Sequence, residues 1–270
     1  MLKAITRDVS RNISRCELTF RQREGVDYEK AIRQHADYCD LLRRCGAEVI
    51  NLEARDENPD CCFVADTAVV LEEVAVIASL GALSRQGEIT GIAETLSAHR
   101  EIARIEPPAT LDGGDVLILG KRIFVGRSKR TNQEGIESLT RIVNAFGYDV
   151  TTVTVMGSLH LTTACSALNE ETVLLNSRWI DTAPFARYRA LNVPEDEPWA
   201  ASIMRVGSTV CVEAGAPRTL ELVRKHCAEV DVLDISEFRK AEGSVPCLSI
   251  LFQDTKTDYS NQSKETINAQ

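Results

Sequence analysis

Strand-like runs of apolar residues occur in pairs along this chain, and a short polar break separates the two members of each pair. Four such pairs follow one another. The breaks are polar or contain glycine, and β-branched residues flank them, so each pair predicts a β-hairpin. The four predicted hairpins span residues 63–78, 116–126, 166–176 and 202–212.

Helical patterns lie between these hairpins, and a further strand follows each helix. Apolar residues recur at helical spacing over 27–45 and 132–146, and both patterns end at a glycine. A third helix is predicted over 217–227, because it opens with a proline, which suits a first helical turn. The strands that follow are predicted at residues 48–52, 149–155 and 230–234.

A strand-strand-helix-strand unit therefore repeats roughly every 40 to 50 residues. A last strand-like run covers 247–252, and residues 1–7 are placed to complete it and close a ring. The pattern favours a closed ring of about five units, which removes most exposed sheet edges. An open α/β sheet with irregular connections is the alternative. We expect residues 1–254 to form a single domain and residues 255–270 a disordered tail.

The composition is that of a globular enzyme, with 44% hydrophobic and 26% charged residues. The net charge of −9 disfavours nucleic-acid binding and favours cationic small molecules. We expect no membrane span and no signal peptide, and hence a cytoplasmic protein, because no run approaches the roughly 18 apolar residues of a span. Nine cysteines then indicate reduced thiols, and their spacing predicts no structural zinc site.

Three chemically reactive side chains occupy matching places in the predicted repeats. Asp112 precedes one hairpin, His160 lies where a β run begins, and Cys247 lies at the start of the last strand. Equivalent positions of neighbouring repeats converge on the axis of a ring, where a thiol beside a histidine becomes a strong nucleophile. Taken singly, each residue also has an ordinary structural interpretation, as a loop aspartate, a satisfied histidine and a buried thiol.

Three further charged residues are candidates for substrate contacts. Asp66 interrupts an apolar run, where a carboxylate is costly to bury unless it meets a cation or hydrogen-bond donors. Arg85 lies in a predicted loop and Arg130 at a predicted helix start, and an arginine fork suits a substrate carboxylate. Either arginine alone is equally well interpreted as a solvated side chain.

Taken together, these segments resemble the dimethylarginine dimethylaminohydrolase family of the guanidino-group modifying (pentein) superfamily. The resemblance runs through nearly the whole chain, in the order 34–38, 63–70, 111–117, 128–132, 158–161, 198–201 and 247–249. It implies an α/β fold, a five-bladed propeller of strand-strand-helix-strand repeats around a pseudo-fivefold axis. It also implies hydrolysis of Nω-methylated arginine to citrulline and methylamine or dimethylamine.

The resemblance implies three catalytic roles and no metal or organic cofactor. Cys247 is expected to attack the guanidinium carbon and form a covalent thiouronium intermediate. His160 is expected to protonate the leaving amine and then to activate water. Asp112 is expected to orient His160 and stabilise its charge.

The resemblance also implies five substrate contacts. Asp66 is expected to hold guanidinium N–H groups, and Arg85 and Arg130 the α-carboxylate. Asp60 and the backbone at Leu18 are expected to hold the α-amino group. The expected partner is thus a small cationic guanidino amino acid, and the chain is expected to be a monomer or a homodimer. The loop around Leu18 is a hypothetical lid.

The sequence departs from the family pattern at three positions. Ala65 replaces a common glutamate, Pro246 replaces the usual serine or threonine before the nucleophile, and Thr162 replaces a common lysine. Ala65 therefore leaves open a related hydrolase or deiminase that acts on arginine or another guanidino or ureido compound. The same fold also serves a non-catalytic ribosome anti-association factor, so a propeller that only binds a partner is the second alternative.

Overall fold

Fifteen strands and six α-helices form in residues 1–254, which are the residues that the computed structural model describes. The predicted tail, residues 255–270, lies outside them. The strands are β1 (Leu2–Arg7), β2 (Glu48–Leu52), β3 (Ala68–Val70), β4 (Val74–Ile77), β5 (Glu101–Arg104), β6 (Val116–Leu119), β7 (Arg122–Arg127), β8 (Asp149–Thr154), β9 (Cys165–Ala167), β10 (Thr172–Leu175), β11 (Arg189–Asn192), β12 (Met204–Val206), β13 (Thr209–Glu213), β14 (Val230–Leu233) and β15 (Ile250–Gln253). The helices are α1 (Tyr28–Arg44), α2 (Ile92–Ser97), α3 (Gln133–Asn144), α4 (Leu161–Ala164), α5 (Pro217–Arg224) and α6 (Ser236–Lys240).

The strands form five sheets of three, with the orders β15-β1-β2, β3-β4-β5, β6-β7-β8, β9-β10-β11 and β12-β13-β14. In every sheet the middle strand pairs antiparallel with the first strand and parallel with the third. A parallel neighbour needs a crossover, and the helices or loops after the middle strands provide it. Five equal sheets fit the predicted five-bladed propeller.

The chain closes on itself in the first sheet. β1 pairs antiparallel with β15, with Ile5 opposite Ile250. The amide of Asp254 also donates to the carbonyl of Met1 over 2.7 Å. The prediction that the first residues complete the last strand is therefore confirmed, because the two chain termini of the described region share one sheet.

Capping residues set the bounds of the two longest helices. The Asp27 carboxylate accepts from the amide of Lys30 at the start of α1, and the Asn132 side chain accepts from the amide of Gly135 at the start of α3. Soon after their ends the chain passes through left-handed glycines, Gly46 at φ +84° and Gly147 at φ +76°. The predicted helices 27–45 and 132–146 are confirmed within two residues.

Several sequence-based expectations were wrong in detail. Cys247 does not begin a strand, since it lies in a short 3-10 helix, Val245–Leu248, and β15 starts at Ile250. His160 likewise precedes the short helix α4, and β9 begins only at Cys165. In both places one short helical turn is inserted before the strand, and its apolar residues make it continuous with the strand in the sequence pattern.

The repeat is also less regular than predicted. Helix α2 and the strands β5 and β11 were not predicted, although each strand completes a sheet. Between β10 and β11 the described chain forms only a 3-10 turn, Ala183–Phe185, in place of an α-helix. Arg85 lies in a 3-10 helix, Leu83–Ile89, and not in a loop. Among residues 1–254, none of the helices combines the length and apolar character that crossing a membrane requires.

Candidate active site

Five corresponding segments bring polar side chains together at the site. We call the segments that precede β3, β6, β9, β12 and β15 the junctions. They carry, in chain order, Asp66, Asp112, His160, Ser202 and Cys247. The short helices of the β3 junction contact those of the β6 and β15 junctions, and α4 contacts the β6 junction. The predicted convergence of Asp112 and His160 is present in the structure.

His160 is held between two carboxylates. Its Nε2 lies 2.9 Å from Oδ2 of Asp112, and its Nδ1 lies 3.6 Å from Oδ1 of Asp66. All three side chains are buried, at 3% exposure or less. Burial alone would lower the pKa of His160, but the charge of Asp66, the hydrogen bond to Asp112 and the charge of Asp115 raise it to about 9. His160 is therefore an imidazolium at neutral pH, charged and ready to act as an acid.

Asp66 is the anionic centre of the site. Burial would raise its pKa, but the charges of His160 and Arg85 outweigh burial and lower the pKa of Asp66. Its Oδ1 accepts from the amide of Gly114 over 3.1 Å, and its Oδ2 accepts from Nη1 of Arg85 over 2.8 Å. A buried carboxylate that stays charged in this way is suited to hold a second cation.

The Gly-Gly turn at 113–114 allows the carboxylates and the histidine to approach one another. A Cβ on Gly114 would lie 2.5 Å from Oδ1 of Asp66 and 2.7 Å from Nδ1 of His160. A Cβ on Gly113 would lie 2.1 Å from the carbonyl oxygen of Ala65. Any side chain at either position would push the backbone out of the site, so glycine is required for close approach and not for its φ angle.

Asp115 fastens the β6 junction to α4. Its Oδ1 accepts from the amide of Leu161 over 2.9 Å, and its Oδ2 accepts from the hydroxyls of Ser128 and Thr131 over 2.6 and 2.7 Å. Burial raises the pKa of Asp115 to about 6, although the charge of His160 and these hydrogen bonds lower it. The residue thus fixes the backbone that follows His160.

Cys247 is half-buried beside this charged cluster, and its Sγ lies 3.1 Å from Oγ of Ser244. Burial raises the pKa of the Cys247 thiol to about 11, and the charge of Asp66 adds to this, while the Ser244 hydrogen bond and the charge of Arg85 act in the opposite direction. In the free protein the thiol is therefore neutral at pH 7. A cation placed beside it would favour the thiolate.

Arg85 is held by two carboxylates. Its Nε and Nη2 donate to the carboxylate of Glu88 over 3.1 and 2.8 Å, and its Nη1 donates to Asp66. Burial would lower its pKa, but Asp66 and Glu88 raise the pKa of Arg85 well above its usual value. Burial also raises the pKa of Glu88 to about 7. The structure therefore places Arg85 in the site as a fixed cation.

Arg130 lies just before α3, as predicted. Its Nη1 donates to Oδ2 of Asp112 over 3.4 Å, and the side chain is 8% exposed. The amide of Gly81 donates to the other oxygen of Asp112 over 2.8 Å. Asp112 thus receives donors from two sides besides His160, which fixes its orientation.

Asp60 contacts the backbone of the segment that contains Leu18. Both oxygens of Asp60 accept from the amide of Glu17, over 3.3 and 3.0 Å. The next residue, Leu18, packs against the apolar cluster that also contains Cys247. The following amide, that of Thr19, donates to the Glu242 carboxylate over 3.0 Å. Leu18 is therefore tied at both sides beside the site.

A cavity of about 80 Å³ adjoins this cluster, and its walls include Leu159, Trp179 and Ser244. The donor atoms of Asp66, Asp112 and His160 lie within 4.8 Å of one another, a spacing that a metal ion can use. Their mutual ion pairs already satisfy these groups, and the absence of a metal stays a prediction.

Comparison with known proteins identifies the family of the chain. A family model described as "N,N dimethylarginine dimethylhydrolase, eukaryotic" matches residues 7–189. The chain belongs to the dimethylarginine dimethylaminohydrolase family. A relative of that name from Streptomyces coelicolor is 37% identical over 249 residues, which cover 92% of this chain and 96% of the relative.

Solved structures of dimethylarginine dimethylaminohydrolases share the fold. A cysteine-to-serine variant from Pseudomonas aeruginosa in complex with citrulline superposes with a TM-score of 0.89 at 32% identity, covering 93% of this chain and 100% of that chain. A histidine-to-glycine variant of a dimethylarginine dimethylaminohydrolase, as an adduct with S-methyl-L-thiocitrulline, gives the same TM-score of 0.89, identity of 32% and coverage of 93% and 100%.

Four contributors to this dimethylarginine dimethylaminohydrolase-type site were not among the predicted residues. Glu88 follows Arg85 by three positions, and Asp115 follows Asp112 by three, so local spacing could have signalled both. Ser202 and Ser244 carried no such signal, because isolated serines are common in loops.

Proposed function

We propose that this chain hydrolyses Nω-methylated arginine to citrulline and methylamine or dimethylamine, through a thiouronium intermediate on Cys247. The observation that carries the proposal is the imidazolium of His160, held between Asp112 and Asp66, together with the half-buried thiol of Cys247, which the charge of the same Asp66 influences. An acid, two carboxylates and a nucleophile are the groups that a resonance-stabilised guanidinium requires for C–N cleavage.

Substrate binding would itself activate the nucleophile. The Cys247 thiol is neutral in the free protein, since burial and the charge of Asp66 raise its pKa. A guanidinium held by Asp66 places a positive charge beside Sγ and offsets that carboxylate. The pKa of Cys247 therefore falls when substrate binds, and the thiol proton leaves to solvent.

In the first half-reaction the thiolate forms a bond to the guanidinium carbon. His160 transfers its proton to the alkylated nitrogen, the C–N bond breaks and the amine leaves. The pKa of about 9 keeps His160 protonated for this step at neutral pH. The product is the thiouronium and a neutral imidazole that faces Asp112.

In the second half-reaction the neutral His160 accepts a proton from water. The resulting hydroxide bonds to the same carbon, the C–S bond breaks, and citrulline leaves with the new oxygen. Sulfur departs as the thiolate, the new hydroxyl group releases its proton to solvent as it becomes the citrulline carbonyl, and His160 is again an imidazolium, so the atoms and charges balance. Asp112 stabilises the imidazolium in both states through its 2.9 Å hydrogen bond.

The remaining predicted residues are proposed to bind the amino-acid end. Arg85 and Arg130 are buried cations, which suits the α-carboxylate. Asp60 and the backbone of Leu18 would hold the α-amino group. The amide contact between Asp60 and residue 17 supports this, because it brings both groups to one place.

The alkylated end is proposed to face the cavity walled by Leu159 and Trp179. Burial of one methyl group contributes about 0.8 kcal/mol, or roughly a fourfold preference. Ala65 supplies no carboxylate here, so arginine or another guanidino compound is the alternative substrate.

The test is citrulline formation by the purified protein from asymmetric dimethylarginine, monomethylarginine, arginine and other guanidino acids. We expect turnover of the methylated substrates, its loss in Cys247→Ser, and its retention in the matched control Cys227→Ser. If the protein turns over only another guanidino compound, that compound replaces methylated arginine as the proposed substrate. If no compound is turned over, the proposal is wrong.

We also propose that residues 1–254 form one catalytic domain, which the shared sheet of β1 and β15 supports. The monomeric or homodimeric state and the cytoplasmic location stay predictions.

A further inference from the structure

The nucleophile has a hydroxyl neighbour within its own helical turn. Ser244 is the residue before the 3-10 helix Val245–Leu248, and its carbonyl accepts from the amide of Cys247 over 3.0 Å. Side chains three residues apart lie above one another in a 3-10 turn. The turn thus brings Oγ of Ser244 within 3.1 Å of Sγ of Cys247.

A second hydroxyl from another sheet holds the first. Ser202 lies at the β12 junction, and its Oγ is 2.7 Å from Oγ of Ser244. Both serines are buried, at 4% and 5% exposure. The β12 junction therefore contributes to the site through Ser244, as the other junctions contribute charged or nucleophilic groups.

We propose that Ser244, held by Ser202, is a positioning residue that fixes Sγ of Cys247 and donates a hydrogen bond to its thiolate. The proposal rests on the proposed function, since it concerns the same nucleophile. It assigns to Ser244 a hydroxyl contact that the neighbouring Pro246 cannot make, because proline has neither a hydroxyl nor an N–H.

The pair of hydroxyls suits both forms of the sulfur. When Cys247 is a thiol, its S–H donates to Ser244, whose hydroxyl turns toward Ser202. When Cys247 is a thiolate, Ser202 donates to Ser244 and Ser244 donates to sulfur. Rotation of the two hydroxyls therefore keeps the hydrogen bonds between Cys247, Ser244 and Ser202 in both ionisation states. Hydrogen bonds to a charged acceptor are the stronger kind, so the arrangement favours the thiolate.

The test is the rate at which iodoacetamide alkylates Cys247 from neutral to alkaline pH, followed on the Cys247 peptide by mass spectrometry. The variants are Ser244→Ala, Ser202→Ala and the control Ser249→Ala. Ser249 is a buried serine near the nucleophile whose hydroxyl pairs with Tyr38 over 2.6 Å.

At neutral pH we expect Ser244→Ala to slow alkylation about ten- to hundredfold, because the Cys247 thiolate loses one hydrogen bond. Ser202→Ala should slow it less, and Ser249→Ala should keep the wild-type pH profile. At high pH, where all thiols ionise, the rates should converge. A wild-type profile in Ser244→Ala overturns the proposal, and so does an equal slowing at every pH, which would indicate displacement of sulfur alone.

The buried thiols of Cys62 and Cys165 report on folding in the same experiment, because they stay unlabelled only in a folded chain. If Ser244→Ala does not fold, Ser202→Ala decides, and an unchanged profile there overturns the proposal. Alkylation needs no substrate. A protein that forms no citrulline would therefore contradict the proposed function and leave the inference on Ser244 to be judged by its own pH profile.

Discussion

Replacement of Asp112 by asparagine should weaken proton binding by His160. The carboxylate lies 2.9 Å from Nε2, and both groups are buried, so their bond is charge-assisted and little screened. Asparagine keeps the shape of the side chain and an oxygen for the amide of Gly81, but it removes the charge. The change therefore removes both the charge of Asp112 and the acceptor that faces Nε2 of His160 and Nη1 of Arg130.

A hydrogen bond to a charged group contributes about 1.5 to 3 kcal/mol, and about 1.4 kcal/mol corresponds to a tenfold change in proton affinity. The proton affinity of His160 should thus fall about ten- to hundredfold. Its pKa rises from 6.5 in the unfolded chain to about 9 in the folded protein. The protonated imidazole therefore stabilises the fold by about 3 kcal/mol below pH 6.5, and this stabilisation is lost as the pH rises to about 9.

The assay is an NMR titration of histidine-labelled protein, with His160→Gln to assign the signal and Asp149→Asn as a control for the loss of an exposed carboxylate. We expect the wild-type His160 signal to titrate near pH 9, Asp149→Asn to match it, and Asp112→Asn to titrate lower. The reasoning is refuted if wild-type His160 titrates below pH 6.5, since burial would then outweigh the carboxylates. It is also refuted if Asp112→Asn leaves the titration unchanged.

Three further changes test other parts of the site. Gly114→Ala should lower turnover at least about a hundredfold, because the added Cβ would displace the Asp66 carboxylate and the His160 imidazole. The circular dichroism spectrum should be retained. Wild-type kinetics in this variant would contradict the packing argument. Glu88→Gln should raise KM about tenfold and change kcat by less than about threefold, since Arg85 loses one of its two carboxylate partners. Steady-state kinetics measure both constants, and a fall in kcat alone would contradict this prediction. Glu242→Gln should speed hydrogen–deuterium exchange about tenfold at the amides of residues 19–21, which donate to that carboxylate. Unchanged exchange would show that this contact does not hold the hypothetical lid.

The sequence pattern was informative where strands and helices carry strong local signals. The hairpins follow from β-branched runs around short polar turns, the helices at 28–44 and 133–144 from helical spacing that ends at a glycine, and the ring closure from the repeat of these units. Helix α2 and strand β5 were missed because both elements are short and contain few apolar residues. The short helical turns that contain Cys247 and precede Cys165 were missed because the apolar residues of each continue into the strand that follows.

The predicted convergence of Asp112 and His160 followed from equivalence of the repeats, and their 2.9 Å contact is a consequence of ring geometry. The pairing of Ser202 with Ser244 could not be predicted in the same way. It joins residues 42 positions apart through one hydroxyl contact of 2.7 Å, for which serine has no distinctive sequence pattern. Burial also affects the charge states of His160, Asp66 and Cys247. Because these residues become buried only when the sheets assemble, the sequence pattern does not predict their charge states.

The most direct test of the central claim is to trap the covalent intermediate. His160→Ala removes the group that activates water, so incubation with S-methyl-L-thiocitrulline, whose methanethiolate leaves without a proton from His160, should leave a thiouronium adduct on the protein. We predict that intact mass spectrometry finds an added mass equal to S-methyl-L-thiocitrulline less methanethiol, and that peptide mapping places it on Cys247 and on none of the other eight cysteines. An unmodified protein that still forms citrulline, or an adduct on another cysteine, would contradict the account.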